Sequence, residues 1–419
     1  MKPASRIVIL ADVFPPLRSS GAIQLRDLAR EFVRQGYQPT VIIPASELDG
    51  EWKIDEWGGI QILRLKAAQT KDVGNLRRTL AEFLMPWFML RNLKKSPLAG
   101  QRWDGVVWYS PTIFLGPVAK FLKKESACRS YLIVRDIFPE WAVNMGIMGR
   151  GLPYWFFKTV ERYQYAVADV IGVQTPGNVP YLDRWARKPG RRVEVLQNWL
   201  THAPVAGCSI TVANTCLAGR KIFVYAGNMG VAQGMGILLD LAERLRLRDD
   251  IGFLFVGRGT DRDRLRFDAA RRELDNMLFF DEIDPAEIPG LYQQCHAGIV
   301  ALDRRHKTHN IPGKFLSYMQ SGLPVLASIN AGNDLAALIS SERVGGACTD
   351  ASVDTLETMA RHLADDLDGG AVKQRCMALA AKLFSPRAAV AQIVHAVGAD
   401  GRQVPAPKVA YREPIRKLA

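Results

Sequence analysis

The chain has 419 residues, of which 48% are hydrophobic and 23% are charged, and its formal net charge is +13. These values are typical of a globular protein, and the length exceeds what one hydrophobic core usually organises, so we expect two domains. The sequence has no run of about twenty apolar residues and no secretory signal, so we expect neither a membrane span nor export. The six cysteines lack metal-binding spacing, which indicates reduced thiols and no metal site.

The positive charge is distributed unevenly along the chain. Residues 1–200 contain 29 Lys and Arg against 18 Asp and Glu, whereas residues 201–419 contain 26 against 24. The basic residues of the first half are interleaved with large apolar ones, and no nucleic-acid-binding motif is present. This pattern favours an anionic membrane surface over a nucleic acid as the partner of the first half.

Short apolar runs alternate with amphipathic stretches, which is typical of parallel α/β sheets. In the first half, strands are predicted at 6–11, 38–43, 60–65, 104–109, 130–135, 169–174 and 192–197. In the second half, they are predicted at 221–226, 251–256, 277–280, 297–302 and 323–327. The pattern therefore predicts two doubly wound α/β domains.

A stretch rich in small and polar residues at 201–219 predicts a linker between the two halves. It separates a first domain at 1–200 from a second domain at 220–385. A final helix is predicted at 386–400, and a basic tail without periodicity follows at 401–419.

Two stretches of the first half combine aromatic and basic residues. In the first, an apolar helical stripe that includes Trp87 is flanked by basic residues, which are Arg77, Arg78, Arg91, Lys94 and Lys95. The dense basic flanks favour a patch that contacts a membrane surface. The second stretch, at 154–158, is expected to pack into the core.

Ligands of parallel α/β sheets bind at the carboxyl ends of the strands, so the loops there are the candidate sites. Gly227 to Gly234 form a glycine-spaced turn after a predicted strand, which allows a phosphate to approach the backbone closely. Arg258 follows the next strand between two glycines, a position that suits phosphate binding. An ordinary surface arginine is the alternative.

The segment 309–327 is predicted to form a loop, a short helix and a buried strand in succession. Pro312 suits the first helical position, and Gly322 ends the helix. The free N–H groups of the first turn attract anions, and Lys314 adds a full positive charge there. A diphosphate is the expected ligand, and a merely well-capped helix is the alternative.

This whole segment resembles the donor-binding segment of the family 4 retaining glycosyltransferases. Within that family it is most similar to bacterial surface-polysaccharide transferases for N-acetyl-L-fucosamine, and the resemblance extends over nearly the entire chain. It implies a GT-B fold, in which two Rossmann-like domains face each other across a cleft. The C-terminal helix of that fold crosses back to the N-terminal domain.

The resemblance implies a set of donor-binding residues, which are Gly21, Asn228, Gly230, Arg258, Ile283, Asn310, Gly313 and Ser317. Gly21 is what remains of a glycine pair whose backbone faces the diphosphate. Ile283 stands where the family's backbone contacts the nucleobase.

The donor site departs from the family in two respects. The usual arginine near Asn228 and lysine near Gln233 are absent, so Lys314 and Arg258 are expected to supply the cationic charge, without a metal ion or other cofactor. The family also has two glutamates separated by seven residues.

The residues that match those glutamates are His309 and Ser317. Ser317 can still hydrogen-bond a hydroxyl without charge assistance. His309 is expected to contact the donor sugar or the leaving phosphate. The change suggests a sugar presented differently, such as an L-sugar, and a degraded, inactive site is the alternative.

On the acceptor side, Asp136 and Glu140 follow a predicted strand and resemble the version of this loop in the polysaccharide subgroup. The resemblance implies that both carboxylates face the cleft, where they could deprotonate or orient the acceptor hydroxyl. An ion pair between Arg135 and Asp136 is the structural alternative. With His309 and Lys314, the two acids complete the predicted catalytic set.

The resemblance thus implies a retaining transferase that moves N-acetyl-L-fucosamine, or another acetamido-deoxyhexose, from a UDP-sugar to a polyprenyl-diphosphate-linked acceptor. Such an enzyme of O-antigen or capsule biosynthesis would be cytoplasmic and peripherally bound to the inner face of the cytoplasmic membrane, without a nucleic-acid partner. Two alternatives stay open. One is a UDP-sugar 2-epimerase of GT-B fold, and the other is a non-catalytic scaffold of a polysaccharide assembly complex.

Overall fold

The computed structural model describes residues 4–399 except 18, 71–72, 203, 206 and 367–369. The tail predicted at 401–419 and the last residue of the helix predicted at 386–400 lie outside the described residues.

The first sheet is built from residues 6–195. Its strands are β1 (Arg6–Leu10), β2 (Gln38–Ala45), β3 (Trp52–Trp57), β4 (Ile60–Lys66), β5 (Gly105–Ser110), β6 (Arg129–Val134), β7 (Val170–Val173) and β8 (Arg192–Val195). Their order in the sheet is β3-β4-β2-β1-β5-β6-β7-β8, and only β3 and β4 pair antiparallel. The helices of this part are α1 (Ser20–Arg34), α2 (Asn75–Leu93), α3 (Gly116–Ser126), α4 (Glu140–Asn144), α5 (Leu152–Val167) and α6 (Asp183–Ala186), with a 3-10 helix at Pro176–Leu182.

The second sheet is parallel throughout. Its strands are β9 (Lys221–Ala226), β10 (Ile251–Val256), β11 (Met277–Phe280), β12 (Ala297–Ala301), β13 (Val325–Ser328) and β14 (Gly345–Cys348), in the order β11-β10-β9-β12-β13-β14. The accompanying helices are α7 (Gly236–Arg244), α8 (Arg262–Arg271), α9 (Ile288–Tyr292), α10 (Gly313–Ser321), α11 (Asp334–Glu342), α12 (Val353–Asp365) and α13 (Ala371–Leu383), and the last described helix is α14 (Pro386–Val397).

Each sheet is covered by helices on both faces, because its central strands are apolar on both sides. In β1, Val8 and Leu10 belong to one core cluster, while Ile7 and Ile9 belong to the cluster on the opposite face. All four side chains are fully buried. The chain therefore forms two three-layer α/β domains.

The strands predicted from the sequence are all present, with ends that differ by a few residues. Strands β3 and β14 were not predicted. In β3, charged residues alternate with apolar ones on an exposed sheet edge, and β14 is the short edge segment Gly-Gly-Ala-Cys, so neither has a strong apolar period. Edge position thus explains both omissions.

Within the described residues, Ala371–Val397 is long and apolar enough by length and composition to cross a membrane. This stretch is two helices separated by Phe384 and Ser385. Helix α13 packs in the second domain through Cys376 and Leu379, whereas α14 packs in the first domain. The buried faces of the two helices account for the apolar composition, and the return of α14 agrees with the expected crossing.

The position of the site follows from the strand order. In the first sheet the connections reverse direction between β1 and β5, and in the second sheet they reverse between β9 and β12. Loops diverge at such points and leave a crevice at the carboxyl ends of the strands. The two crevices meet where Gly313 of the second domain lies against Ser20 of the first.

Candidate functional site

Helix α10 presents its N-terminus to the interdomain cleft. Pro312 is its N-cap and Gly322, with a φ of 73°, is its C-cap, so the helix begins one residue later than predicted and ends as predicted. A Cβ atom on Gly313 would lie 3.0 Å from the Ser20 hydroxyl oxygen at the start of α1. The N-termini of two helices therefore meet in the cleft, where both dipoles favour an anion.

Lys314 places its ammonium in the second domain's crevice. Its Nζ lies 3.5 Å from the centroid of the Tyr225 ring, and a Cβ on Gly227 would lie 3.6 Å from the same nitrogen. Desolvation alone lowers the pKa of Lys314 to about 7, and among the described residues no carboxylate pairs with it. The charge is balanced by an aromatic face only, which leaves it available to an anionic ligand.

The loops after β9 and β10 pack backbone against backbone beside Lys314. Gly257, with a φ of 146°, approaches so closely that a Cβ there would lie 2.1 Å from the carbonyl oxygen of Gly227. The Met229 N–H donates to the carbonyl oxygen of Arg258 at 2.7 Å. The glycine spacing noted in the sequence thus serves this close approach.

Arg258 directs its side chain away from the protein. Its guanidinium pairs with Glu282 at 2.9 Å, and the side chain is 74% exposed. Exposed pairs of this kind contribute little to stability, so the arginine is free to exchange partners. The structure places Arg258 at the rim of the crevice rather than beside Lys314 on its floor.

A neutral side chain closes the glycine-spaced turn after β9. Gln233 accepts from the Gly230 N–H at 2.9 Å and from the Asn228 amide at 3.2 Å. The family that the sequence resembles has a lysine near this position, whereas here the Gln233 oxygen shapes the loop and supplies no charge. Asn228 and Gly230 are thereby brought together, as predicted for donor-binding residues, although their contact with a donor stays a prediction.

Gly21, in the first turn of α1, completes the crevice from the first domain. A Cβ on Gly21 would lie 3.3 Å from the Tyr109 ring, so a larger residue would crowd the end of β5. The N-cap of the helix is Ser19, whose hydroxyl accepts from the Ala22 N–H at 3.3 Å. Gly21 is thus brought near Gly313 through their common neighbour Ser20.

A groove of about 1200 Å³ lies between the domains beside the linker. Its walls include Pro16 and Leu17 of the first domain and Ser317 on α10. The Ser317 hydroxyl donates to the Gly313 carbonyl at 3.4 Å. Among the described residues, no hydrogen bond involves the backbone of Ile283, which precedes the groove-lining residue Asp284. Asn310 is partly exposed at the loop before α10.

Asp136 follows β6 and its side chain is exposed. Although the residue is exposed, nearby protein atoms partly desolvate its carboxylate and raise its pKa, while the neighbouring Arg135 opposes that shift. The two side chains form no ion pair within 4 Å. Instead, the Arg135 guanidinium lies 4.5 Å from the Trp199 ring and donates to the Leu196 carbonyl at 3.4 Å. The alternative of an Arg135–Asp136 structural pair is therefore wrong.

The resemblance implied that Glu140 faces the cleft beside Asp136, but its carboxylate is bound by other side chains. Its carboxylate pairs with Lys158 at 2.8 Å and accepts from the Tyr154 hydroxyl at 3.2 Å. Lys158 also pairs with Glu161 at 2.7 Å, and burial raises the pKa of Glu161 to about 7. The reason for the difference is that α5, further along the chain, turns its charged face towards Glu140.

His309 lies in the contact between the domains. Its Nδ1 accepts from the Asp334 N–H at 3.1 Å, and its ring packs so tightly on Gly177 that a Cβ there would lie 2.2 Å from it. The Gly177 N–H donates to the Asp334 carboxylate at 2.7 Å. Burial raises the pKa of Asp334, but the contacts with His309 and Gly177 outweigh it and hold the pKa low. These contacts occupy the Nδ1 face of the imidazole that was expected to meet the sugar or phosphate.

Sequence reasoning missed three amide side chains in this contact. Gln174 follows β7, Asn178 lies in the 3-10 helix after it, and Asn198 follows β8. Their donors bind the backbone of residues 309–311. The signal that could have found two of them is a polar residue shortly after an apolar strand, the same rule that selected Asp136.

The predicted membrane patch lies on α2 and the two residues that follow it, and its basic residues are all exposed, namely Arg77, Arg78, Arg91, Lys94 and Lys95. Trp87 is 57% exposed. In the second aromatic stretch Tyr154 is buried, but Trp155 and Phe156 are exposed, so the expectation that this stretch packs into the core is wrong for these two residues. Phe156 contacts Phe83 of α2, with ring centroids 5.7 Å apart. The two helices therefore expose one continuous apolar surface.

Within the described part of the chain, no group of three or more His, Cys, Asp or Glu side chains could hold a metal ion, and the six cysteines are unpaired. The charge at the centre of the crevice comes from Lys314.

Comparison with known proteins agrees with this geometry. Residues 220–366 match the family described as glycosyl transferases group 1. The putative colanic acid biosynthesis glycosyl transferase WcaI of Escherichia coli K12 is 26% identical over 257 residues, which are 58% of this chain and 61% of that protein. The probable glycosyltransferase WbjE of Pseudomonas aeruginosa is 23% identical over 231 residues, which are 52% and 55% of the two chains. The matches thus span about three fifths of the length of these relatives.

Solved structures share the whole two-domain architecture. Sucrose-phosphate synthase of Thermosynechococcus elongatus superposes with a TM-score of 0.73 at 16% identity, covering 93% of this chain and 97% of its own. Anabaena Alr3699/HepE, solved with UDP-glucose, superposes with a TM-score of 0.66 at 14% identity, covering 94% and 100%. The fold of the present chain is GT-B, which confirms the expected fold class.

Proposed function

We propose that this chain, which has the GT-B fold and a second domain similar to the group 1 glycosyl transferases, is a glycosyltransferase of bacterial surface-polysaccharide biosynthesis. The observation that carries the proposal is the desolvated Lys314 ammonium at the N-terminus of α10, beside the close-packed glycine loops. A pocket of fixed dipoles and one cation suits the diphosphate of a nucleotide sugar. The donor is accordingly a UDP-sugar.

The chemistry is the displacement of the diphosphate by an acceptor hydroxyl with retention of anomeric configuration. As the bond between the anomeric carbon and the diphosphate oxygen breaks, Lys314 and the N–H groups of α10 stabilise the negative charge on the leaving group. Arg258 adds charge when it exchanges Glu282 for a phosphate oxygen. Because the acceptor attacks from the same face, the leaving diphosphate helps to remove its proton, and Asp136 orients the hydroxyl.

Two of the predicted catalytic residues take supporting roles in this proposal. Glu140 holds the loop that carries Asp136, since its carboxylate is bound to Lys158 and Tyr154. His309 holds the loop that leads into α10, since its imidazole is bound to Asp334. With neither glutamate of the broad family present, the donor sugar is an acetamido-deoxyhexose such as N-acetyl-L-fucosamine. Activity is expected to persist in EDTA, because protein cations take the place of a metal ion.

The acceptor is a polyprenyl-diphosphate-linked oligosaccharide at the inner face of the cytoplasmic membrane. The support for this assignment is the surface shared by α2 and α5, where exposed aromatic residues lie among exposed basic ones. Arg91 lies over the Trp87 ring at 5.8 Å, an arrangement that suits the boundary between headgroups and acyl chains. The surface would keep the enzyme, and its cleft, next to a lipid-anchored substrate.

The proposal is tested by a thermal-shift screen of UDP, UDP-sugars and other nucleotides, because a ligand that binds the native state stabilises it. UDP-acetamido-deoxyhexoses are expected to give the largest shift. Turnover is then measured with membrane extract as acceptor. If no uridine nucleotide stabilises the protein, the proposal is wrong. Conversion of the UDP-sugar without acceptor would identify an epimerase instead.

Lys314→Ala is expected to lower turnover by roughly two to three orders of magnitude, comparable to the loss of one preorganised charge-stabilising donor. The matched control is Lys382→Ala, which removes an exposed lysine of the same domain that pairs with Glu342. Turnover of the Lys314 variant within threefold of the control would contradict the role of the ammonium.

A further inference from the structure

Three amide side chains of the first domain bind the backbone of the loop that precedes α10. Gln174 and Asn198 both donate to the carbonyl oxygen of Ile311, at 2.8 Å and 2.7 Å. Asn178 donates to the carbonyl oxygen of His309 at 2.8 Å and accepts from its N–H at 3.0 Å. We refer to these three residues as the amide clamp.

The amide clamp is buried in the contact between the domains. Gln174, Asn178 and Asn198 are 2%, 1% and 3% exposed, so water does not compete freely for their donors. The residues they hold are far away in the sequence, with separations of 113 to 137 positions. Their hydrogen bonds therefore exist only when the domains are docked.

The held loop leads directly into the N-terminus of α10. Ile311 is followed by the N-cap Pro312, and the helix starts at Gly313, so the backbone between the clamp and Lys314 is only two residues long. Pro312 fixes its own φ near −62°, which makes this connection stiff. The clamp thus determines where the Lys314 ammonium and the first N–H groups of α10 lie relative to Ser20 and Gly21.

We infer that Gln174, Asn178 and Asn198 are positioning residues, through which the first domain sets the place of the diphosphate-binding helix end of the second domain. This inference rests on the proposed function. The three amides do not line the crevice themselves, and they act through the backbone of residues 309–311. Charge stabilisation depends steeply on distance, so a small displacement of α10 weakens support of the leaving group more than it weakens binding of the nucleoside.

The shared carbonyl makes a specific prediction about pairs of variants. When Gln174 or Asn198 is replaced by Ala, the remaining amide still holds the Ile311 oxygen, and kcat is expected to fall about threefold to fivefold. When both are replaced, the oxygen has no donor from the first domain, and kcat is expected to fall by about two orders of magnitude. The loss in the double variant exceeds the product of the single losses because the two donors are partly redundant.

The matched control is Gln294→Ala. Gln294 is also an amide that bonds to backbone at both ends, since it donates to the Ile210 carbonyl at 2.9 Å and accepts from the Val212 N–H, but these partners lie outside the first domain. The control is expected to lose thermal stability to a similar degree and to keep kcat within twofold. The KM for the UDP-sugar is expected to change less than kcat in the clamp variants.

The experiment measures kcat, KM and melting temperature for the single variants, the double variant and the control, with small-angle X-ray scattering of each. A double variant that is folded and keeps kcat within twofold of the wild type would overturn the inference, as would a loss no larger than that of the control. If the wild type transfers no sugar at all, the proposed function is wrong, but the scattering still tests the amide clamp. In that case an increase in the radius of gyration of the double variant, absent from the control, supports the role of the clamp in docking the domains, and an unchanged radius overturns it.

Discussion

The ammonium of Lys314 is held against an aromatic ring, not against a carboxylate. A cation in this environment gains little from the ring compared with what it loses in hydration, and its pKa falls to about 7. An incoming diphosphate supplies the missing counter-charge. Desolvation favours the neutral amine of Lys314 in the free protein, whereas a bound diphosphate favours the protonated ammonium.

This coupling predicts the pH dependence of UDP binding. Above pH 7 the lysine of the free protein loses its proton, and UDP must bind together with a proton to restore the charge. The terminal phosphate of UDP, with a second pKa near 6, is already ionised there. Affinity measured by calorimetry is therefore expected to fall about tenfold between pH 7 and pH 8.5, with proton uptake on binding.

The sign is opposite for the stability of the free protein. The unfolded chain keeps the ordinary lysine pKa of 10.5, so between pH 7 and 10.5 it binds more protons than the folded chain at this position. The contribution of Lys314 to stability thus improves as the pH rises through that window. In Lys314→Arg the charge cannot be lost, and a persistent fall in UDP affinity above pH 7 in this variant would contradict the assignment.

Gly257 is required by the close packing of the two strand exits. Gly257→Ala would place a Cβ 2.1 Å from the Gly227 carbonyl oxygen at a φ of 146°, and we expect a loss of roughly 2–3 kcal/mol in the free energy of unfolding. The control is Gly219→Ala, at a φ of 77° with no atom near the new Cβ, for which about 1 kcal/mol is expected. If urea denaturation gives equal losses of unfolding free energy for the two variants, backbone strain at positive φ determines the effect, and the contact with Gly227 does not.

Helices α2 and α5 show where sequence patterns are informative and where they fail. The apolar stripe and basic flanks of α2 were recognisable because they repeat with the helical period. The division of α5 into a buried face with Lys158 and Glu161 and an exposed face with Trp155 and Phe156 was not, because both faces contain aromatic residues. For the same reason the ion pair between Glu140 and Lys158 could not be predicted from the loop that carries Glu140.

The charge of the shared surface predicts salt-sensitive binding to anionic vesicles. Each exposed basic residue near such a membrane contributes about 1 kcal/mol, so a variant that loses five is expected to lose nearly all binding in sedimentation. The variant changes these residues to Ser: Arg77, Arg78, Arg91, Lys94 and Lys95.

The matched control removes the same charge from exposed positions of the second domain, which are Arg246, Arg264, Arg266, Arg271 and Lys382. It is expected to bind vesicles almost as well as the wild type. If both variants lose binding equally, net charge alone and not the surface of α2 and α5 is responsible.

The two domains are joined by contacts that no local pattern reports. The strand positions and the loops that form the crevice could be predicted, because apolar periodicity and turn residues are local properties and parallel sheets place ligands at one edge. The inward engagement of His309 could not, since its partners Gly177 and Asp334 are distant in the sequence. What the sequence leaves open is thus the docking of one domain on the other.

Helix α14 makes the first domain depend on the end of the described chain. Val390 is fully buried in the core of that domain, so Val390→Asp introduces an unpaired buried charge and is expected to destabilise the first domain by roughly 3 kcal/mol or more. Hydrogen exchange is expected to show loss of protection in the first sheet but not in the second.

The matched control is Ala388→Asp, two residues earlier on an exposed position of the same helix. It adds the same charge without burying it, and protection of both sheets is expected to remain. Loss of protection in the second sheet of the Val390 variant, to the same extent as in the first, would show that the domains unfold as one unit.

The return of α14 to the first domain also determines the order in which the two domains can be completed during synthesis. The Ser5 hydroxyl donates to the carbonyl of Ala399 at 3.0 Å, so residues from both ends of the described chain meet beside β1. A nascent polypeptide leaves the ribosome from its N-terminus, and the first sheet must wait with one side of its core uncovered until residues 386–399 emerge. The second domain, whose strands and helices α7 to α13 precede α14, can assemble before the first one is closed.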